Sequence, residues 1–157
     1  MTDLEIAKSE LHEEKLSLAM VKDGNVLYAT KSDPVTSMLE AIDKHGDKLI
    51  GASVAVHEST KAFALLCAYA NIKEVYSVRI SRKALTTFKT SKISVYWNKL
   101  AENTKNSDNT ASCPFERAAA NINDPKNAYQ TLKKRFLNSK KTSQKTTNDL
   151  YRSKVKD

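Results

Sequence analysis

Apolar positions along the chain change their spacing from segment to segment, and those changes predict the elements. Between Thr2 and Glu14, Leu4, Ala7 and Leu11 recur at intervals of three and four, the spacing of a short amphipathic helix capped by Thr2 or Asp3. From Lys15 to Val21 the interval falls to two, with Leu16, Leu18 and Met20 on one side. Asp23-Gly24 follows, and Val26, Leu27, Tyr28 and Ala29 resume a β-type composition. Asp-Gly supplies the positive φ angles of a two-residue turn, so a hairpin is expected. Asp33-Pro34 then opens a helix with Asp33 as cap, Pro34 in the first turn, Val35, Met38, Leu39 and Ile42 as its buried stripe, and Gly46 just past its end.

A largely apolar helix is predicted from about Ser53 or Ala55 to Tyr69, a run with so few polar positions that it belongs against a sheet. Glu74 to Ser81 reads as a central strand, Arg82 to Lys89 as a helix carrying Ala84, Leu85 and Phe88, and Ile93 to Leu100 as the next strand. Strand, helix and strand in that order imply a crossover and a parallel pair. An antiparallel hairpin joined to parallel strands gives a mixed sheet between helices. The polar, asparagine-rich stretch Ala101 to Ala111 marks a surface loop. Cys113-Pro114 and Asp124-Pro125 start two further helices, the last with Tyr129, Leu132 and Phe136 as its stripe.

The length, 157 residues, suits one domain, and 40% hydrophobic residues with three glycines and three prolines suits a folded one. The formal charge of +8 is unevenly spread: 17 basic and 16 acidic residues up to Leu132, nine against two after it. From Asn138 onward only Leu150, Tyr151 and Val155 offer apolar surface, too little to offset an ordering cost of about 1 to 2 kcal/mol per residue. The expected organisation is a folded domain over 1–137 and a basic, disordered tail over 138–157. The tail is read first as solvated, with weak, salt-sensitive affinity for nucleic acid or acidic partners as the alternative. Cys67 and Cys113 are too few for a disulfide framework. The first 17 residues, with five acids and two lysines, do not resemble a leader peptide, and the longest apolar run is far short of a membrane span. A soluble, cytoplasmic protein is expected.

Few residues invite chemistry. His57-Glu58 could bind zinc or move a proton, but position 61 is Lys where a zincin helix needs His, and position 59 is Ser where a zinc deaminase needs Glu. Neither cysteine belongs to a Cys-x-x-Cys pair, so no metal or cofactor is expected. Cys113, at a helix start, faces backbone amides that favour its thiolate, with Glu116 one turn on. A capping and packing role is preferred for both, and a metal-independent enzyme using the Cys113 thiolate is kept as an alternative. Ser59-Thr60-Lys61 lacks the glycine loop of a Walker motif and keeps only a bare helix start. Ser81-Arg82-Lys83 sits where a parallel strand meets a helix, a common seat for anions in open α/β sheets, although a solvated basic turn is the simpler reading. Tyr69, Tyr76, Tyr96 and Trp97 are expected in the core or on sheet faces, and not as a base-stacking platform.

Gly51-Ala52, Val54-Ala55, ALLCAYANIKEVYS over 64–77, Ile80-Ser81, Ala84, CPFERA over 113–118 and Asp124-Pro125 with Ala128-Tyr129 together resemble the domain-of-unknown-function 1893 family, over roughly Leu11 to Phe136. Cys-Pro-x-Glu is the most specific element. The resemblance implies a cytidine-deaminase-like fold, a three-layer α/β/α sandwich with a mixed sheet, without established activity. A deaminase presents Pro-Cys-x-x-Cys where this chain has Arg82-Lys83-Ala84, and the His-x-Glu of the central helix is replaced, so zinc-dependent deamination is not expected. The leading reading is a binding domain for a small anionic ligand such as a nucleotide, with His57, Glu58, Ser81, Arg82 and Lys83 as contacts and Cys113 and Glu116 as a second, weaker cluster.

Overall fold

The computed structural model describes residues 1–101 and 114–139. The expected polar loop, Cys113 and all but the start of the basic tail lie outside the described residues.

Helix α1 (Asp3–Glu13) is closed by a capping box, in which Glu5 N donates to Thr2 Oγ1 and Thr2 N donates to Glu5 Oε2. Thr2 is therefore the cap, and Asp3 is released for another task. Its carboxylate accepts from Asp23 N at 3.0 Å and Gly24 N at 2.9 Å, tying α1 to the turn between β1 (Leu18–Lys22) and β2 (Asn25–Thr30). Asp23 and Gly24 have φ of +52° and +80°, the conformation a two-residue type I′ turn requires. Helix α2 (Pro34–His45) has Asp33 as cap, donated to by Val35 N and Thr36 N.

The apolar run after Gly51 divides in two. Residues Ser53–Ser59 form strand β3, and only Lys61–Tyr69 is helix α3, with Thr60 as its cap. The predicted helix start at Ser53 or Ala55 is thus corrected. β3 is the central strand of the sheet and is covered on both faces, so its sequence shows no polar alternation and reads like the buried helix that follows. β4 (Glu74–Ser81), α4 (Arg82–Thr90) and β5 (Ser94–Ala101) follow, then α5 (Pro114–Ala119) and a last helix, α6, over 125–139.

The sheet order is β2-β1-β3-β4-β5. β1 pairs antiparallel with β2 and β3, whereas β3, β4 and β5 run parallel through the α3 and α4 crossovers. On one face Ala7 and Leu11 of α1 meet Val21 and Ala55. On the other, α2 to α6 bury Phe63, Phe88, Met38 and Leu132 against Leu18, Met20, Val54 and Val75. This is the expected three-layer α/β/α sandwich with a mixed sheet.

Alternation along β4 slips once. Val75 and Ile80 both enter the larger cluster although five residues apart, while Tyr76 and Val78 belong to the α1 side. Ser77 Oγ donates to the carbonyl of Arg79 at this point. Val95 and Leu100 of β5 show the same shift. It turns Ile80 and its register partner Ser59 inward just before the strands end.

Candidate functional site

β3 and β4 deliver their chains to α3 and α4 side by side. Ser59 is in register with Ile80, so the next residues, Thr60 and Ser81, cap the two helices at the same edge of the sheet. Thr60 Oγ1 accepts from Phe63 N at 3.3 Å and Ser81 Oγ accepts from Ala84 N at 3.1 Å. Each helix start exposes further amides and the positive end of a dipole toward that edge.

The two starts are treated differently. At α3, the amide of Ala62 donates to Glu116 Oε1 at 2.6 Å, and Glu116 is buried. Lys61, also buried, donates through Nζ to the carbonyl of Ala120 at 2.9 Å. Helix α5 thus covers the beginning of α3 with a carboxylate from its first turn and a carbonyl from just beyond its end. At α4, Arg82 and Lys83 are exposed in the first turn. Ser59, one residue before the α3 cap and in register with Ile80, which precedes the α4 cap, is fully buried, and its Oγ has no hydrogen-bond partner. An unpaired buried hydroxyl is a standing energetic penalty of about 1 to 3 kcal/mol unless something meets it.

Of the residues expected to form a site, Ser81, Arg82, Lys83 and Glu116 belong to this edge. His57 and Glu58 are exposed on β3, before the cap; Ser59 faces the larger core with Ile80, which leaves Glu58 on the α1 side. The packing of Glu116 against α3 has no signal in the sequence, since 54 positions separate the partners. Ser59 was visible only as part of a bare helix start, and its burial follows from the shifted alternation.

Cys67 lies within α3, free and fully buried, and burial pushes its thiol well above the ordinary range. It is a core residue, and its burial disfavours the thiolate that nucleophilic or metal chemistry needs. Among the described residues, no three His, Cys, Asp or Glu side chains gather as a metal site would require. No helix of the described residues is long and apolar enough to cross a membrane. The arrangement that remains is a helix start bearing two cations, beside a buried hydroxyl and a second helix start already neutralised by the chain's own carboxylate.

Comparison with known proteins agrees with this architecture. The model of the domain-of-unknown-function 1893 family matches residues 6–136. A crystal structure of a protein of that family from Thermotoga maritima superimposes with a TM-score of 0.71 at 21% identity, over 89% of this chain and 91% of that one. The dCMP deaminase of cyanophage S-TIM5 overlaps 59% of this chain and 97% of its own, at 14% identity and a TM-score of 0.47. A diaminohydroxyphosphoribosylaminopyrimidine deaminase/reductase from Thermotoga maritima overlaps 74% of this chain and 41% of its own, at 17% and 0.45. The first likeness shows the fold alone, and the two deaminase overlaps are too partial to add to it. No curated protein matches the chain.

Proposed function

The chain belongs to the domain-of-unknown-function 1893 family, and we propose that it binds a small anionic ligand of the nucleotide class at the carboxyl edge of its sheet. The anion sits on the start of α4, where the orphan amides and the side chains of Arg82 and Lys83 supply positive charge. The start of α3 is not part of the anion seat, because Glu116 already occupies the amide of Ala62. The observation that carries the reading is Ser59 Oγ, fully buried at the edge shared by both caps and unpaired in the free protein. A polar atom of the ligand satisfies it, and this second contact separates a built site from a mere basic turn.

Thermal unfolding of the full chain against nucleoside mono-, di- and triphosphates tests the proposal. A ligand at a hundred times its dissociation constant stabilises the protein by about 2.7 kcal/mol. Lys83→Ala removes charge from the seat and weakens the response. Ser59→Ala leaves the free protein as stable as before or slightly more so, because the substitution deletes an unpaired hydroxyl, yet it abolishes the response. Absence of any shift at millimolar ligand, or an undiminished response in Ser59→Ala, overturns the proposal.

A further inference from the structure

The α1 side of the sheet carries a surface with a different chemistry. Helix α1 packs on β1, β3 and β4, and beyond it the aromatic side chains of β4 and β5 continue toward the sheet edge. Tyr76 and Tyr96 are partners in the parallel register, so their rings share one face at a strand spacing of about 4.8 Å. Tyr76 is half-buried at the margin of α1, whereas Tyr96 on the edge strand is 52% exposed.

Basic side chains flank Tyr76. Lys8 Nζ stands 4.3 Å from the centroid of Tyr76, and His12 meets the same ring edge-on at 6.2 Å. Past the slip in alternation, Arg79 and Lys99 are register partners, and the inward turn of Ile80 leaves them on the α1 side. Arg79 Nε is buried without a hydrogen-bond partner, and Lys99 is exposed. Of the nearby carboxylates, Glu74 accepts from Ser53 Oγ at 2.6 Å, and Glu58 stands beside Arg79 in the register. The face carries two tyrosines, the cations Lys8, Arg79 and Lys99, and the imidazole of His12, with Glu58 as the carboxylate beside Arg79. That combination suits an extended polyanion with planar groups along it better than an apolar protein surface.

We infer that the α1-side face of β4 and β5 binds single-stranded nucleic acid, with a base stacked on Tyr96, the next against Tyr76, and phosphates met by Lys8, Arg79 and Lys99. Stacking on aromatic side chains is tolerant of sequence, and neutralised phosphates make binding salt-dependent. Because this platform and the start of α4 lie on opposite sides of the sheet, each proposal can fail without the other.

Fluorescence anisotropy of the full chain with end-labelled oligo-dT and oligo-rU of twelve nucleotides, at several salt concentrations, tests the inference. Tyr96→Ala weakens binding at least fivefold, Tyr96→Phe stays within twofold of the parent, and Lys99→Gln lowers the slope of log affinity against log salt by about 0.7. Thermal unfolding establishes that each variant is folded, and Lys99→Gln, at an exposed position, provides the test if Tyr96→Ala is not. Three results overturn the inference: no binding by the parent, unchanged affinity in both Tyr96→Ala and Lys99→Gln, or self-association by sedimentation velocity that Tyr96→Ala abolishes while oligonucleotide affinity is unaffected.

Discussion

Glu116 and Ala62 lie 54 positions apart in the chain, and one 2.6 Å hydrogen bond from the Ala62 amide to Glu116 Oε1 joins α5 to the beginning of α3. A charged acceptor on a buried helix start satisfies an orphan donor and meets the positive end of the dipole together. Glu116→Ala leaves that amide unpaired and lowers stability by about 1 to 3 kcal/mol in urea unfolding. Glu116→Gln keeps an acceptor and loses less. Equal stability of all three proteins would show that the carboxylate is not what seals α3.

Asp3 performs a similar function on the other side of the sheet, since one carboxylate receives the amides of Asp23 and Gly24. Asp3→Ala leaves the capping box of α1 intact while severing its tie to the hairpin. A loss of roughly 1 to 2 kcal/mol is expected, with faster hydrogen exchange at the amides of Asp23 and Gly24. Unchanged exchange at those two amides contradicts the assignment.

Burial of Cys67 makes stability depend on alkaline pH. Its thiol in the folded chain is held above the ordinary value of 9.0, so on going upward through about pH 9 the unfolded chain releases a proton that the folded chain retains. The contribution is complete below that pH and declines above it, by up to about 1.4 kcal/mol per unit. Tyr28, raised by burial and then by the charge of Glu40, acts in the same direction from about pH 10. Urea midpoints for the parent fall more steeply between pH 8.5 and 9.5 than those for Cys67→Ala, and parallel profiles for the two would remove Cys67 as the cause.

Tyr69 of α3 and Tyr129 of α6 stack with centroids 4.2 Å apart and planes within 8°. A double-mutant cycle with Tyr69→Leu and Tyr129→Leu isolates the pair, and a coupling of about 0.5 to 1.5 kcal/mol is expected. A coupling indistinguishable from zero would mean that the stacking adds nothing to the packing of α6 through Ala128, Leu132 and Phe136 in the same cluster.

Locally encoded elements were legible in the residues themselves. Asp23-Gly24, Asp33-Pro34 and Asp124-Pro125 each state a turn or a cap through a side chain acting within three or four positions, and each appears where expected. The pairing of β4 with β5 through α4 followed from order alone. β3 was not legible. Covered on both faces, it loses the alternation that identifies a strand, and the only available mark of its end was Thr60, three residues before Phe63, as a cap. Tyr96 and Trp97 read as ordinary sheet-face residues, but β5 lies at the edge of the sheet and leaves both substantially exposed.

The sequence by itself determined the hairpin, the parallel crossover, the caps of α2 and α6 and the helices other than the start of α3, because those depend on contacts between residues a few positions apart. Tertiary structure alone decided that the caps of α3 and α4 share one edge, that Glu116 seals the first and leaves the second free of it, that Ser59 is buried unpaired at the end of β3, and that Tyr76 and Tyr96 form one face. Each of these depends on strand order, on register or on a slip in alternation. Such quantities are fixed by how distant segments pack together, and no spacing within one segment records them.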